Sequence, residues 1–218
     1  MRTKYSSQVY RADGAGKFVE VLNSAFPIDK VQLNAIEYDK NTNKQTRNLP
    51  IYVDVNKMLV LAEDVLNGNF KKKVDEAKAT KTFEGKPLNA YTCFFTDMGG
   101  IDESKVSKRF AELKTMYPFL TEGMAISRQL KIQAAARDGL DWIIRVEYGP
   151  GKSDSKGLIV PNGNAPIYVN VAVNDETFKE MMMALKMHYN AYLFQHYNRF
   201  GKELFPTDNV NIFKPDKN

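Results

Sequence analysis

Apolar and polar positions alternate with period two along residues 128–148. In "RQLKIQAAAR" (128–137), Leu130, Ile132, Ala134 and Ala136 alternate with Gln129, Lys131, Gln133, Ala135 and Arg137. That pattern predicts an antiparallel strand with one buried and one solvated face. "DG" at 138–139 is a hairpin-turn signal. Alternation then resumes in "LDWIIRVEY", with Leu140, Trp142, Ile144, Val146 and Tyr148 on the apolar side and Asp141, Ile143, Arg145 and Glu147 opposite. "GPGKSDSKG" predicts a loop, "LIV" a short strand, "PNGNA" a turn and "PIYVNVAV" a fourth strand. Beyond Asn174 the spacing changes to three and four residues: Phe178, Met181, Met182, Leu185, Tyr189, Tyr192, Leu193, His196 and Phe200. This predicts a long helix over 175–200, capped by Asn174, with Asp175 and Glu176 in its first turn and Gly201 as its stop.

The same order is written near the start of the chain. "KYSSQVYR" (4–11) predicts an edge strand and "ADG" (12–14) a turn. "GKFVEVLNSAF" and "DKVQLNAIEYD" read as strands, "NTNKQTRN" as a polar loop and "LPIYVDV" as a fourth strand. The helix "NKMLVLAEDVLNG" follows, with Met58, Leu61, Ala62, Val65 and Leu66 on one face and Gly68 at its end. "PIYVDV" (50–55) and "PIYVNV" (166–171) thus both occupy a last strand before a helix. An internal repeat explains that recurrence. Chance is the alternative, because proline before a β-branched strand is common.

These patterns predict an α+β protein built from two ββββα units, each a curved four-stranded antiparallel sheet with a C-terminal helix, arranged as an intrachain pseudo-dimer. The expected boundaries are 1–68 for the first unit, 69–127 for a structured insert, 128–201 for the second unit and 202–218 for a C-terminal tail. The insert carries a lysine run (Lys71 to Lys73) and an amphipathic helix near 102–116 with Val106, Phe110 and Leu113. Its "YTCFF" and "YPFL" are too apolar to leave in water.

Composition changes this picture little. The chain has 218 residues, 43% of them hydrophobic and 26% charged, which is ordinary for a globular protein. The single cysteine, Cys93, permits no intramolecular disulfide or thiolate metal cluster. The opening "MRTKYSSQVYRADG" lacks the apolar core of a signal peptide, and no run reaches the length of a membrane span. A soluble, cytoplasmic protein is the expectation. The net charge of +5 permits a polyanionic partner without requiring one. Since residues 1–68 hold nine basic and eight acidic side chains, any electrostatic footprint must come from sidedness and not from a basic block.

Four strands followed by a long helix, used in pairs, resemble the single-stranded DNA-binding fold of the transcription coactivator positive cofactor four and of the plant Whirly proteins. The resemblance covers residues 3–68 and 128–200 and rests on pattern order, not on a catalytic signature. The 59-residue insert (69–127) departs from both families. "GPGKSDSKGLIVP" is also similar to hypothetical proteins of phages and mobile elements of Gram-positive bacteria, a kinship that carries no known activity.

The fold resemblance implies single-strand binding across the exposed sheet faces, with an accessory role in transcription, replication or recombination. Opposite the apolar stripes lie Lys30, Gln32, Asn34, Tyr38 and Tyr52 in the first unit, and Lys131, Gln133, Arg137, Arg145 and Tyr168 in the second. Cations for the backbone and aromatic planes for the bases are what sequence-tolerant binding uses. Lys44 and Arg47, in "KNTNKQTR", belong to a loop able to close over a strand, as does "GKSDSKG". An ordinary solvated sheet face carries the same residue types, and tyrosine favours strands in any case. A protein-interaction or regulatory module on the same duplicated scaffold, without nucleic-acid binding, is the alternative, and a homo-oligomer or a protein partner is compatible with either reading.

Other chemistry is weakly supported. "GPGKS" (149–153) lacks the earlier glycine of a phosphate-cradling loop, Val146 standing there instead. "GAGKF" (14–18) fails likewise. His188 and His196 stand eight residues apart on one helix, too far to share a metal unaided, and are expected to pack among tyrosines. The methionines of "EMMMALKM" fit a helix core or seam. Trp142 fits the core, and Cys93 a buried position without an activating base. A nuclease would need clustered carboxylates, whereas the repeat partner of Asp54 is Asn170. No catalytic residue, metal or cofactor is expected, and single-stranded DNA, or RNA, is the expected partner.

Overall fold

The computed structural model describes residues 7–137 and 139–204, with side chains through Asn198. The chain forms β1 (Gln8–Gly14), β2 (Lys17–Leu22), β3 (Lys30–Tyr38), β4 (Gln45–Asp54), α1 (Val55–Leu66) and α2 (Asn69–Thr80). Two short strands follow, β5 (Thr82–Phe83) and β6 (Lys86–Pro87), then β7 (Cys93–Ile101), α3 (Glu103–Lys108) and α4 (Phe110–Met116). The remainder is β8 (Ala125–Ala134), β9 (Trp142–Ser153), β10 (Ile159–Pro161), β11 (Ile167–Val173) and α5 (Asp175–Leu204). The protein is α+β, with curled antiparallel sheets and a C-terminal helix.

The first sheet is the meander β1-β2-β3-β4. Alternation sends Val19, Val21, Leu33, Ala35, Leu49, Ile51 and Val53 to one face, all at most 2% exposed. The chain then turns into α1, whose N-terminus is capped by Asp54: its Oδ1 accepts the Asn56 amide at 2.9 Å. The second sheet runs β10-β9-β8-β7, with β11 also paired to the long strand β9. Along β9, residues Trp142–Tyr148 pair with β11 and Gly151–Ser153 with β10. β11 packs across the first sheet, and α5 packs on α1 and β1, so one continuous core serves both sheets.

Several expectations change. "CFFTDMGGI", expected within the insert, is β7 and pairs along β8 from Cys93↔Gln133 to Ile101↔Ile126. The insert also contributes Phe70 of α2 to the core, 5.1 Å from the Trp142 ring and 6.2 Å from Phe178. A boundary at 127/128 therefore cuts through a sheet. "ADG" does not turn, because β1 runs through Gly14 in register with Lys17. "QTRN" is paired strand in β4, not loop. "GPGKS" completes β9. The helix near 102–116 is broken at Arg109 into α3 and α4. α5 continues past Gly201 to Leu204, a glycine inside a helix costing only about 1 kcal/mol relative to alanine. Asp138 of the expected turn, residues 4–6 of the expected first strand and 205–218 of the tail lie outside the described residues.

Of the methionines, Met181 and Met182 are buried at 1%, whereas Met183 and Met187 are 51% and 64% exposed. Trp142 is core, its indole N–H donating to Asp175 Oδ1 at 3.0 Å. His196 stacks on Tyr192, with ring centroids 5.8 Å apart, while His188 is exposed. Cys93 is half-buried, and burial pushes its thiol up, away from nucleophilic thiolate. No described helix is long and apolar enough to cross a membrane.

Candidate nucleic-acid interface

The last strand of each sheet sets a tyrosine outward. In β4, Tyr52 stands across from Gln32 of β3; in β11, Tyr168 stands across from Glu147 of β9. They are 44% and 42% exposed, large apolar rings left in water at matching register positions. Two residues further along each last strand the match persists. Asp54 faces Lys30, with Nζ to Oδ2 at 3.4 Å, and Asn170 faces Arg145, whose Nη1 donates to Asn170 Oδ1 at 3.3 Å.

On the second sheet the outward cations are not free. Glu147, 4% exposed, accepts from both Lys131 Nζ and Arg145 Nε. The Arg145 guanidinium also lies over the Tyr168 ring, 3.9 Å from its centroid. Lys131, Arg145, Glu147 and Tyr168 are thus one cluster with two positive charges and one negative. Gln133 is buried at 7% beside Cys93, and Arg137 is exposed beyond the end of β8.

On the first sheet a hydrogen-bond chain organises the amides. Ser24 Oγ donates to Gln32 Oε1 at 2.9 Å, Gln32 Nε2 to Asn34 Oδ1 at 2.9 Å, and Asn34 Nδ2 to Glu20 Oε1 at 3.0 Å. Asn34 is only 7% exposed, so it supports the face more than it offers itself to a ligand. At the far end Tyr38 lies 6.1 Å from Phe18, and Arg11 stacks over Phe18 at 3.7 Å. With Ile36, Asn43 and Gln45 these line a cavity of about 350 Å³. Arg47 is bonded elsewhere: its Nη1 donates to Glu37 Oε2 at 2.9 Å and to the Tyr168 carbonyl at 3.1 Å, tying β4 to β11. Lys44 is exposed in the β3–β4 turn.

Lys30 and Tyr52 meet at the rim of a cleft where edge strand β4 approaches edge strand β7, with Lys57, Asp97 and Arg128. The last three were not expected there. Arg128 stands in the apolar register of β8, with Leu130 and Ile132, and a charge in that register is the signal that could have found it. Lys57 comes from the first turn of α1 and Asp97 from β7. Phe18, an aromatic on the polar face of β2, carried a similar signal. Glu147 was placed correctly on the outward face, but its neutralising effect depends on cross-strand neighbours.

No family model, no curated protein and no solved structure matches the chain.

Proposed function

We propose that this chain is a non-catalytic single-stranded nucleic-acid-binding protein, built from two duplicated ββββα units in the manner of positive cofactor four and the Whirly proteins. The observation that carries the reading is the pair of outward tyrosines, Tyr52 and Tyr168, at equivalent register positions and each beside a cation. Exposed aromatic planes next to guanidinium or ammonium groups suit base stacking with backbone neutralisation. In support of duplication, β1-β2-β3-β4-α1 and β7-β8-β9-β11-α5 have the same order of antiparallel neighbours, and Lys30/Asp54 corresponds to Arg145/Asn170. Tyr52 and Tyr168 stack bases, Tyr38 extends the first platform, and Lys30, Lys44, Arg137 and the net charge of the Lys131–Arg145–Glu147 cluster face phosphate. Ultraviolet cross-linking of oligo-dT with peptide mapping tests this: adducts concentrate on Tyr52 and Tyr168, whereas adducts scattered over the surface count against it.

A second reading, a protein-interaction module, is favoured by α5. Met183, Met187 and Phe194 are 51%, 64% and 73% exposed, on the side of the helix away from buried Met182, Leu185 and Tyr189. A helix apolar on two opposed sides is normally covered on both. Light scattering separates the outcomes: a concentration-dependent mass that Met187→Glu abolishes supports association, and a monomer at every concentration removes this reading.

A further inference from the structure

The cleft between β4 and β7 has an uncompensated positive charge. Its walls are Lys30, Tyr52, Asp54, Lys57, Asp97, Gly99, Gly100 and Arg128, around a volume of about 310 Å³, near the small end of ligand sites. Each carboxylate is engaged by a lysine: Asp97, 6% exposed, accepts from Lys57 Nζ at 2.6 Å, and Asp54 pairs with Lys30 at 3.4 Å. The bond to Asp97 raises the Lys57 pKa, so that ammonium stays charged. Arg128 is the third cation, and none of the ion pairs formed among the described residues includes it. Its guanidinium lies 4.9 Å from the Tyr148 ring centroid, and its Nε is buried without a hydrogen-bond partner. Tyr148 offers no charge in return, because burial holds its hydroxyl neutral, and that hydroxyl donates to the Pro50 carbonyl.

A half-buried guanidinium with no carboxylate to neutralise it is costly, and an anion in the cleft offsets that cost. A guanidinium is moreover the side chain best shaped for two oxygens of a phosphate. Opposite Arg128 in the β7–β8 ladder stands Gly99, and a Cβ built there meets nothing within 4 Å, so the wall is open. Tyr52 also lines the cleft and keeps 44% of its surface exposed, which leaves its ring within reach of a base.

We infer that this cleft is a phosphate subsite: Arg128, assisted by Lys30 and Lys57, holds one phosphate of a nucleotide whose base stacks on Tyr52. The inference rests on the nucleic-acid reading for the identity of the strand, but not for the affinity of the cleft for phosphate. The phosphate can belong to a mononucleotide or 5′ end, or to an internal diester.

The test uses the full chain, ¹⁵N-labelled, because an arginine Nε–H gives its own resonance. Inorganic phosphate, dTMP and an oligo-dT without terminal phosphate are titrated separately, with chloride at equal ionic strength as control. Saturable shifts of the Arg128 Nε–H and the Gly99 and Gly100 amides are expected with dTMP or oligo-dT and absent with chloride. Gly99→Asp places a carboxylate on the residue opposite Arg128, where an added Cβ meets nothing within 4 Å, and weakens binding by roughly tenfold or more, while Gly99→Ala retains it. Shifts with phosphate and dTMP, together with no binding of oligo-dT anywhere on the chain, assign a monoester site and remove the nucleic-acid reading while leaving the cleft as a phosphate site. Binding of oligo-dT that leaves these three resonances unmoved overturns the subsite but not the reading. Shifts equally strong in Gly99→Asp, or with chloride, also overturn the subsite.

Discussion

Replacing Glu147 with glutamine keeps the shape of the side chain but removes the one negative charge in the cluster on the outer face of the second sheet. Lys131 and Arg145 contribute two positive charges and Glu147 one negative, so the cluster carries +1 and the variant +2. Neutralising one further charge by phosphate steepens the dependence of log affinity on log salt by about 0.7 for a single strand. At low salt the variant therefore binds oligo-dT more tightly than the parent, and the two curves converge as salt rises. Stability moves the other way. Glu147 is 4% exposed and loses two charge-assisted bonds, but its partners are 25% and 22% exposed and partly recover hydration. The cost is about 1–3 kcal/mol, less than for a pair fully sealed from water. In a chain of this size each kcal/mol lowers Tm by roughly 2–4 °C. Anisotropy titrations at several salt concentrations, beside a thermal melt, measure both effects. A folded variant whose affinity and salt slope equal the parent's refutes the assignment of this face to phosphate contact.

Gly100→Ala places a Cβ 2.2 Å from the Ile126 carbonyl oxygen and 2.6 Å from Ile159 Cγ2, so backbone must shift; a loss of about 2–3 kcal/mol is expected in denaturant unfolding, whereas Gly99→Ala is near neutral. Phe26, 1% exposed, packs 5.1 Å from Tyr189 and 5.6 Å from Tyr192, and Phe26→Ala lowers stability by about 3–5 kcal/mol through the cavity it leaves. For Asp175, burial raises the pKa, but bonds from Lys179 and the Trp142 indole outweigh it and leave the pKa below the ordinary 3.8. Its stabilisation is therefore complete above the unfolded value and lost as pH falls through the folded one. Fluorescence of Trp142, the single tryptophan, reports the step in acid, and Asp175→Asn removes it.

Much of the fold was legible because its signals are local. Alternation in residues 128–148 and the three- and four-residue spacing after Asn174 correspond to β8, β9 and α5, and the repeated hexamer fell on β4 and β11. β7 was missed because its identity is relational: "CFFTDMGGI" has two glycines and no clean alternation, and it becomes a strand only by lying along β8. The short turn of "ADG" was misplaced by two residues because cross-strand register with β2 carries β1 through Gly14. For the site, the outward positions of Tyr52 and Tyr168 follow from period two. Whether a lysine or arginine is available to a ligand does not, because Glu147 neutralises Lys131 and Arg145 from the neighbouring strand and Glu37 engages Arg47. Arg128 was legible as a charge in the apolar register of β8, but the cleft it lines forms only where β7 comes alongside β4.

The most direct measurement is fluorescence anisotropy of a labelled 30-base oligo-dT, against a duplex of equal length, at low and at moderate salt. The account predicts preference for the single strand, affinity that falls with added salt, and a loss of roughly tenfold or more in Tyr52→Ala/Tyr168→Ala at unchanged fold. Absence of binding at low salt, or equal affinity for the duplex with no effect of the double substitution, contradicts it.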